Sequence, residues 1–237
     1  MISERIAHIG ASETLRINAK ARELAAKGVD VVDLSVGEPD FPTPDNVKDA
    51  GKRAIDADVT KYTINVGIPA LREAISEKLK RDNNVEYDPD EIIVSAGAKN
   101  CLYNLWMAIL NEGEEVIVPA PYWVSYPQQV LLAGGRPVIV NTREEDDFKI
   151  TPADLDSAMS FSTRALVINN PSNPTGTAYT REELEAICAL AAKEGLIIVA
   201  DEIYEKLVYD GFRFASIASL GKAIKEKTVL VNGVSKA

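Results

Sequence analysis

The chain has 237 residues, 46% of them hydrophobic and 26% charged, with a formal net charge of −10. That length suits one large α/β domain with an appendage, or two modest domains, and it can bury a substantial core. The acidic balance speaks against a sequence-independent grip on nucleic acid, which needs many Lys and Arg contacts to phosphate, but it leaves room for a small anionic ligand held by local positive potential.

Two cysteines, Cys101 and Cys188, and a single histidine, His8, are present. The cysteines sit in apolar, helical stretches without CxxC or metal-type spacing, so they read as buried thiols suited to a reducing cytoplasm. One histidine near the terminus reads as a solvated residue and argues against a Ser-His-Asp triad or a His-rich metal site. Proton chemistry would then fall to Lys, Asp or Tyr, or to a cofactor. The start of the chain has no signal-peptide pattern, and no apolar run approaches the length of a membrane span.

In chain order, residues 12–27 have helical spacing through Leu15, Ala19 and Leu24, with Gly28 as the stop. Val31-Val32-Asp33-Leu34 reads as a short strand, followed by the rigid loop Gly37-Glu38-Pro39-Asp40-Phe41-Pro42-Thr43-Pro44. Thr43-Pro44 reads as an N-cap with proline at N1, opening a helix toward Ile55. Pro69 opens another, with Leu71, Ile75 and Leu79 on one face. From Ile92 onward, apolar β-branched runs alternate with helical stretches: 92–94, 115–118, 137–140, 165–168, 196–199 and 229–231 as strands, with 97–110 and 180–193 among the helices. The second of these helices opens on Thr180-Arg181-Glu182-Glu183, a capping-box pattern. Runs without clean alternation are strands covered on both faces, and the strand–helix repetition predicts a three-layer α/β/α fold around a mainly parallel sheet.

Ligands of such sheets bind at the carboxyl ends of the strands, so the residues following each run carry the chemistry. After 92–94 come Ser95-Ala96-Gly97-Ala98-Lys99, small residues at a helix start. Such a turn suits a phosphate, though a tight turn needs small residues in any case. After 115–118 come Pro119-Ala120-Pro121-Tyr122-Trp123, where Trp123 either stacks on a flat ligand ring or covers the sheet edge. After 165–168 come Asn169-Asn170-Pro171-Ser172-Asn173-Pro174-Thr175-Gly176, a pair of proline-locked turns able to hold an amide rigidly. After 196–199 come Ala200-Asp201-Glu202-Ile203-Tyr204. A carboxylate there is expensive without a partner, unless it serves as a helix cap. After 229–231 come Asn232-Gly233-Val234-Ser235-Lys236, where the lysine is either an exposed charge or an amine placed for a Schiff base.

Taken together, Ser172-Asn173-Pro174-Thr175-Gly176, Asp201-Glu202-Ile203-Tyr204 and Ser235-Lys236 resemble the aspartate-aminotransferase-like (class I/II, fold type I) pyridoxal-phosphate-dependent aminotransferases. Gly37-Glu38-Pro39-Asp40-Phe41 and Tyr62-Thr63 with Gly67 and Leu71-Arg72 also match, so the resemblance runs over essentially the whole chain. It implies pyridoxal 5'-phosphate on Lys236, Trp123 stacked on the ring, Asp201 at the ring nitrogen, and Asn173 and Tyr204 at the 3′-oxygen. It further implies Gly97, Ala98, Lys99 and Ser235 at the phosphate, and Tyr62 at the phosphate of a neighbouring subunit, hence a homodimer. Lys236, Asp201 and Tyr204 would be catalytic, and Gly37, Trp123 and Asn173 would meet the substrate. The implied reaction is ping-pong transfer of an amino group between an amino acid, aspartate first, and a 2-keto acid, in the cytoplasm. The implied organisation is an N-terminal arm with part of a small domain over 1–45 and a large cofactor domain over 46–237. In the family an arginine follows the lysine and a later one binds the substrate carboxylate. The chain therefore reads as an incomplete aminotransferase, not competent alone. Two other readings stay open: a different enzyme on the same scaffold, such as a carbon–sulfur lyase, and a non-catalytic aminotransferase-like binding module.

Overall fold

The computed structural model describes Ser3, Ile6, residues 13–33 and residues 37–236. His8 and Leu34, singled out above, lie outside the described residues. The chain divides into two compact units, Met1–Ala57 and Asp58–Ala237.

In the first unit, helix α1 (Glu13–Ala26) is closed by Gly28 at φ +81°, a left-handed position that glycine adopts without strain. The strand expected at Val31–Leu34 does not form over its described part: Val31–Asp33 pairs with no other strand, and Val32 is 84% exposed. An extended run becomes a strand only when a neighbour takes its backbone hydrogen bonds. Helix α2 (Asp45–Asp56) starts one residue later than expected. Pro44, at φ −54° and ψ 144°, occupies the N-cap position with an extended ψ rather than the first helical one.

The second unit opens with helix α3 (Pro69–Asn83), its proline in the first turn and its end marked by left-handed Asn84. Of its expected apolar face, Leu79 is buried, Ile75 half-buried and Leu71 exposed. A 3-10 turn, Pro89–Glu91, follows under a capping box built by Asp88. The strand expected at Ile92–Val94 is absent. Val94 makes a single backbone bond, N–H to the Val66 carbonyl at 3.0 Å, and Ile93 is exposed. Its β-branched composition suits a strand, but no sheet edge is there to receive it.

The remaining runs form strands β1 (Glu115–Ala120), β2 (Arg136–Asn141), β3 (Thr163–Asn169), β4 (Ile197–Asp201) and β5 (Thr228–Val231). They make one wholly parallel sheet in the order β2-β1-β3-β4-β5. Helix α4 (Ala98–Ile109) precedes β1, and between the strands lie α5 (Ser125–Leu132), α6 (Pro152–Ala158), α7 (Arg181–Lys193) and α8 (Lys222–Lys225). Helix α7 carries the expected capping box, the Thr180 side chain accepting from the Glu183 N–H while Glu183 accepts from the Thr180 N–H.

Alternate strand residues point to opposite faces, and each face has its own helices. Ile117, Leu166, Ile168, Ile198 and Ala200 pack with Leu155 of α6 and Leu184, Ile187 and Cys188 of α7. Val116, Val118, Ala165, Val167 and Val199 pack with Leu102 and Trp106 of α4 and Tyr126 and Val130 of α5. Burial on both faces is why these strands lack polar–apolar alternation. Both cysteines are unbridged. Burial pushes the Cys188 thiol up to about 12, while Cys101 is only half-buried.

Candidate active site

Strand order reverses between β1 and β3: the chain leaves β1 for β2 on one side and returns to β3 on the other. In parallel sheets a crevice opens at the carboxyl ends of the strands where such a reversal occurs. Here it is lined by Pro119, Tyr122 and Tyr126 from the β1 side and by Ile168, Asn169 and Asn173 from the β3 side.

Asp201 is the last residue of β4, and only 3% of it is exposed. Oδ2 accepts a 2.6 Å hydrogen bond from the Tyr126 hydroxyl, and Oδ1 accepts a long 3.3 Å bond from the Ile203 N–H. Burial raises its pKa above the ordinary carboxylate range, against the lowering effect of those two donors. Among the described residues none of its hydrogen-bond partners is a cation. A buried carboxyl held by neutral donors alone is costly when ionised, and a cation brought to it would favour the charged form.

Asp201 also anchors the asparagine-rich turn through its backbone. Its carbonyl accepts from Asn169 Nδ2 at 2.9 Å and from the Asn170 N–H at 3.0 Å. Asn169 Oδ1 accepts the Asn173 N–H at 2.8 Å, and Asn170 Oδ1 accepts the Tyr179 N–H at 2.9 Å. The Ser172 and Thr177 backbones close the loop, with the Ser172 N–H donating to the Thr177 carbonyl at 2.9 Å. The Asn173 side chain is thereby held over the end of β4, where Nδ2 donates to the Tyr204 hydroxyl at 3.2 Å. Burial raises the Tyr204 pKa, as does the charge of Asp201, while Asn173 opposes them.

Trp123 is half-buried, its ring edge-on to Tyr126 at 5.3 Å between centroids and 85° between planes. Lys99 Nζ lies 5.0 Å from the Trp123 ring, and the Lys99 carbonyl accepts from Gln129 Nε2 at 2.9 Å. Gly97 sits at the N-cap of α4 with φ +82°, has no side-chain cap, and faces open space where a Cβ would stand. The first N–H groups of α4, including those of Ala98 and Lys99, therefore meet no capping side chain and suit an anion. Ser235 is exposed and Lys236 half-buried, just past β5, whose Val231 is paired in register with Asp201. Tyr62 is fully exposed and makes no hydrogen bond to the other named residues, and Gly37 lies exposed in the loop of the first unit.

The donor set fits pyridoxal phosphate. It offers an uncompensated buried carboxyl for a protonated ring nitrogen, and a phenol and an amide side by side for the ring oxygen. An aromatic flank and an uncapped helix start beside a glycine with open space complete it. Two contributors were not singled out from the sequence. Tyr126 lies three residues after Trp123, and that spacing is its only signal in the sequence. Asn169 reads as a turn residue.

No helix among the described residues is long and apolar enough to cross a membrane. The sequence matches the family described as aminotransferase class I and II over residues 29–237. It is 52% identical over 237 residues to an aspartate aminotransferase of Bacillus sp. (strain YM-2), covering all of this chain and 60% of that protein. It is 50% identical to an aspartate/prephenate aminotransferase of Cereibacter sphaeroides, covering all of this chain and 59% of that protein. The fold superposes on the aspartate aminotransferase of Rhizobium meliloti with a TM-score of 0.96 at 42% identity, covering all of this chain and 60% of that one. The enzyme of Thermus thermophilus with maleate gives 0.93 at 47% identity, covering 100% and 61%. The chain thus spans about 60% of the length of the curated relatives it matches. With the sheet order, the buried Asp201 and the Asn173–Tyr204 pair already in place, these likenesses make the chain a member of the class I and II aminotransferase family.

Proposed function

We propose that the protein is a pyridoxal-5'-phosphate-dependent aminotransferase, with aspartate as the amino donor and a 2-keto acid as acceptor. The observation that carries this reading is Asp201, a buried carboxyl with no cationic partner among the described residues, beside the Asn173–Tyr204 pair and one strand away from the segment bearing Lys236. The names of the relatives, aspartate and aspartate/prephenate aminotransferase, support the donor.

Lys236 would hold the cofactor covalently. Asp201 keeps the proton on its ring nitrogen, because a carboxylate close to that nitrogen favours the charged form. Asn173 and Tyr204 hydrogen-bond the 3′-oxygen, Trp123 covers the ring, and Gly97, Ala98, Lys99 and Ser235 hold the phosphate. Pyridoxal phosphate, when bound, supplies a sink for the electron pair left on the substrate Cα. The Lys236 amine would carry the proton between that Cα and the cofactor's C4′, and Gly37, Trp123 and Asn173 would meet the substrate. Tyr62, fully exposed in this chain, is assigned to the phosphate of a second subunit in a homodimer. Residues 1–45 belong to an arm and small domain and 46–237 to the cofactor domain, and the protein works in the cytoplasm.

The test is borohydride reduction of the full-length protein with pyridoxal phosphate, followed by peptide mass spectrometry. The adduct is expected on Lys236, with amino-group exchange from aspartate to 2-oxoglutarate before reduction. An adduct confined to another lysine overturns the assignment.

A further inference from the structure

We infer that Glu205 is a positioning residue: it clasps Asn232 and so sets the segment carrying Lys236 relative to Asp201. The inference rests on the cofactor reading above. Strands β4 and β5 end together at Asp201 and Val231, and backbone pairing continues for one further bond, from the Glu202 N–H to the Val231 carbonyl at 2.9 Å. Beyond it no ladder holds the chain. Lys236 is five residues further on, past Val234 and Ser235, which are both exposed.

A hold on that segment stands at its start. Asn232 Nδ2 donates to Glu205 Oε2 at 2.9 Å, while Asn232 Oδ1 accepts the N–H of Gly233 at 2.7 Å. The same Oε2 accepts from Asn83 Nδ2 at 2.6 Å, and Oε1 accepts from Lys78 Nζ. Lys78 also donates to Asn83 Oδ1 at 2.8 Å, closing a ring of contacts on the last turns of α3. Lys206 Nζ lies 3.9 Å from Oε1 and is itself bonded to Asp82 at 3.0 Å. Gly233 packs against the same turn: a Cβ there would come within 3.0 Å of Ile203 Cδ1.

Glu205 is buried, and burial raises its pKa. The donors Asn83, Lys78 and Asn232 outweigh this and hold it below the ordinary value, so it is ionised at neutral pH. The bond from Asn232 is therefore a charge-assisted one, stronger than a bond between neutral groups. Glu205 lies four residues after Asp201, and Asn232 four before Lys236. One contact thus ties the group assigned to the ring nitrogen to the group assigned to the covalent bond, where a displacement of about 1 Å costs on the order of 100-fold in rate.

The experiment compares the full-length wild-type protein with Asn232→Ala, Glu205→Gln and the double variant, all loaded with pyridoxal phosphate. The readouts are the absorbance–pH midpoint of bound cofactor, kcat and KM for aspartate, and thermal midpoint. Asn232→Ala cuts only the link to the Lys236 segment and leaves Glu205 with Lys78 and Asn83. It is expected to shift the absorbance midpoint and lower kcat by about 10-fold or more, with KM changed less and the thermal midpoint near wild type. The double variant is expected to be no worse than the more impaired single variant, as for two residues acting through one contact. Wild-type absorbance and kcat in Asn232→Ala, with the adduct on Lys236 present, overturn the positioning role alone. A wild-type protein with no adduct on Lys236 overturns the cofactor reading and this inference with it.

Discussion

Replacing Tyr126 by Phe isolates the hydroxyl that steadies Asp201. The ring stays, and with it the edge contact to Trp123, while the 2.6 Å bond to Oδ2 is lost. The phenol is a donor throughout the accessible pH range, because burial and the neighbouring Asp201 charge push its own pKa well above the ordinary value. A hydrogen bond to a charged group contributes about 1.5–3 kcal/mol net, and one pKa unit corresponds to about 1.4 kcal/mol. Loss of the hydroxyl should therefore raise the Asp201 pKa further. The sign follows from linkage. Asp201 titrates above its unfolded value, so ionising it costs stability as pH rises through the window between the unfolded and folded values. Tyr126→Phe extends that window upward. Urea unfolding of the cofactor-free protein from pH 4 to 9 should show a gap between wild type and variant that is small in acid and grows by about 1.5–3 kcal/mol toward neutral pH. In an Asp201→Asn background the gap should lose its pH dependence. A gap that is constant with pH in the wild-type background refutes the reasoning.

Asp201→Ala should abolish most amino-group transfer, by about 100-fold or more, while costing only about 1–3 kcal/mol of stability for the Tyr126 hydroxyl left without its acceptor. Near-normal turnover with 2-oxoglutarate in a folded variant would reduce Asp201 to a structural residue. Glu202 is fully buried, its Oε1 accepts the Ile217 N–H at 2.7 Å, and burial lifts its pKa from 4.5 to about 8. A carboxyl raised in the folded state loses stability as pH rises from the ordinary range to about 8, by up to about 5 kcal/mol at about 1.4 kcal/mol per unit. Glu202→Gln should flatten that slope in chemical denaturation between pH 5 and 9, and an unchanged slope would show that Glu202 titrates elsewhere. Gly67→Ala should lower the thermal midpoint at a cost of about 1–3 kcal/mol, since φ is +104° and the new Cβ would stand 2.7 Å from Val94 Cγ2.

The periodicity of the chain was enough to place the sheet. Five of its six apolar runs after residue 91 are parallel strands, and the three central ones, β1, β3 and β4, are covered on both faces, which is where an unbroken apolar stretch belongs. Local chemistry also set the starts of α4 and α7: Gly97 supplies the left-handed turn and Thr180 the cap. The motifs after the strands named Asp201, Asn173 and Tyr204, and the sheet brings them to one edge. Ile92–Val94 shows the limit of that reading, for its composition matches the true strands and only the absence of a neighbouring strand distinguishes it. Which groups stand beside the named residues was likewise decided in three dimensions. Tyr126 reaches Asp201 across 75 positions of sequence, and Asn83 reaches Glu205 across 122. Sequence spacing encodes contacts within a turn or along a strand, whereas a bond between α3, the end of β4 and the end of β5 exists only once the sheet order has set those ends side by side.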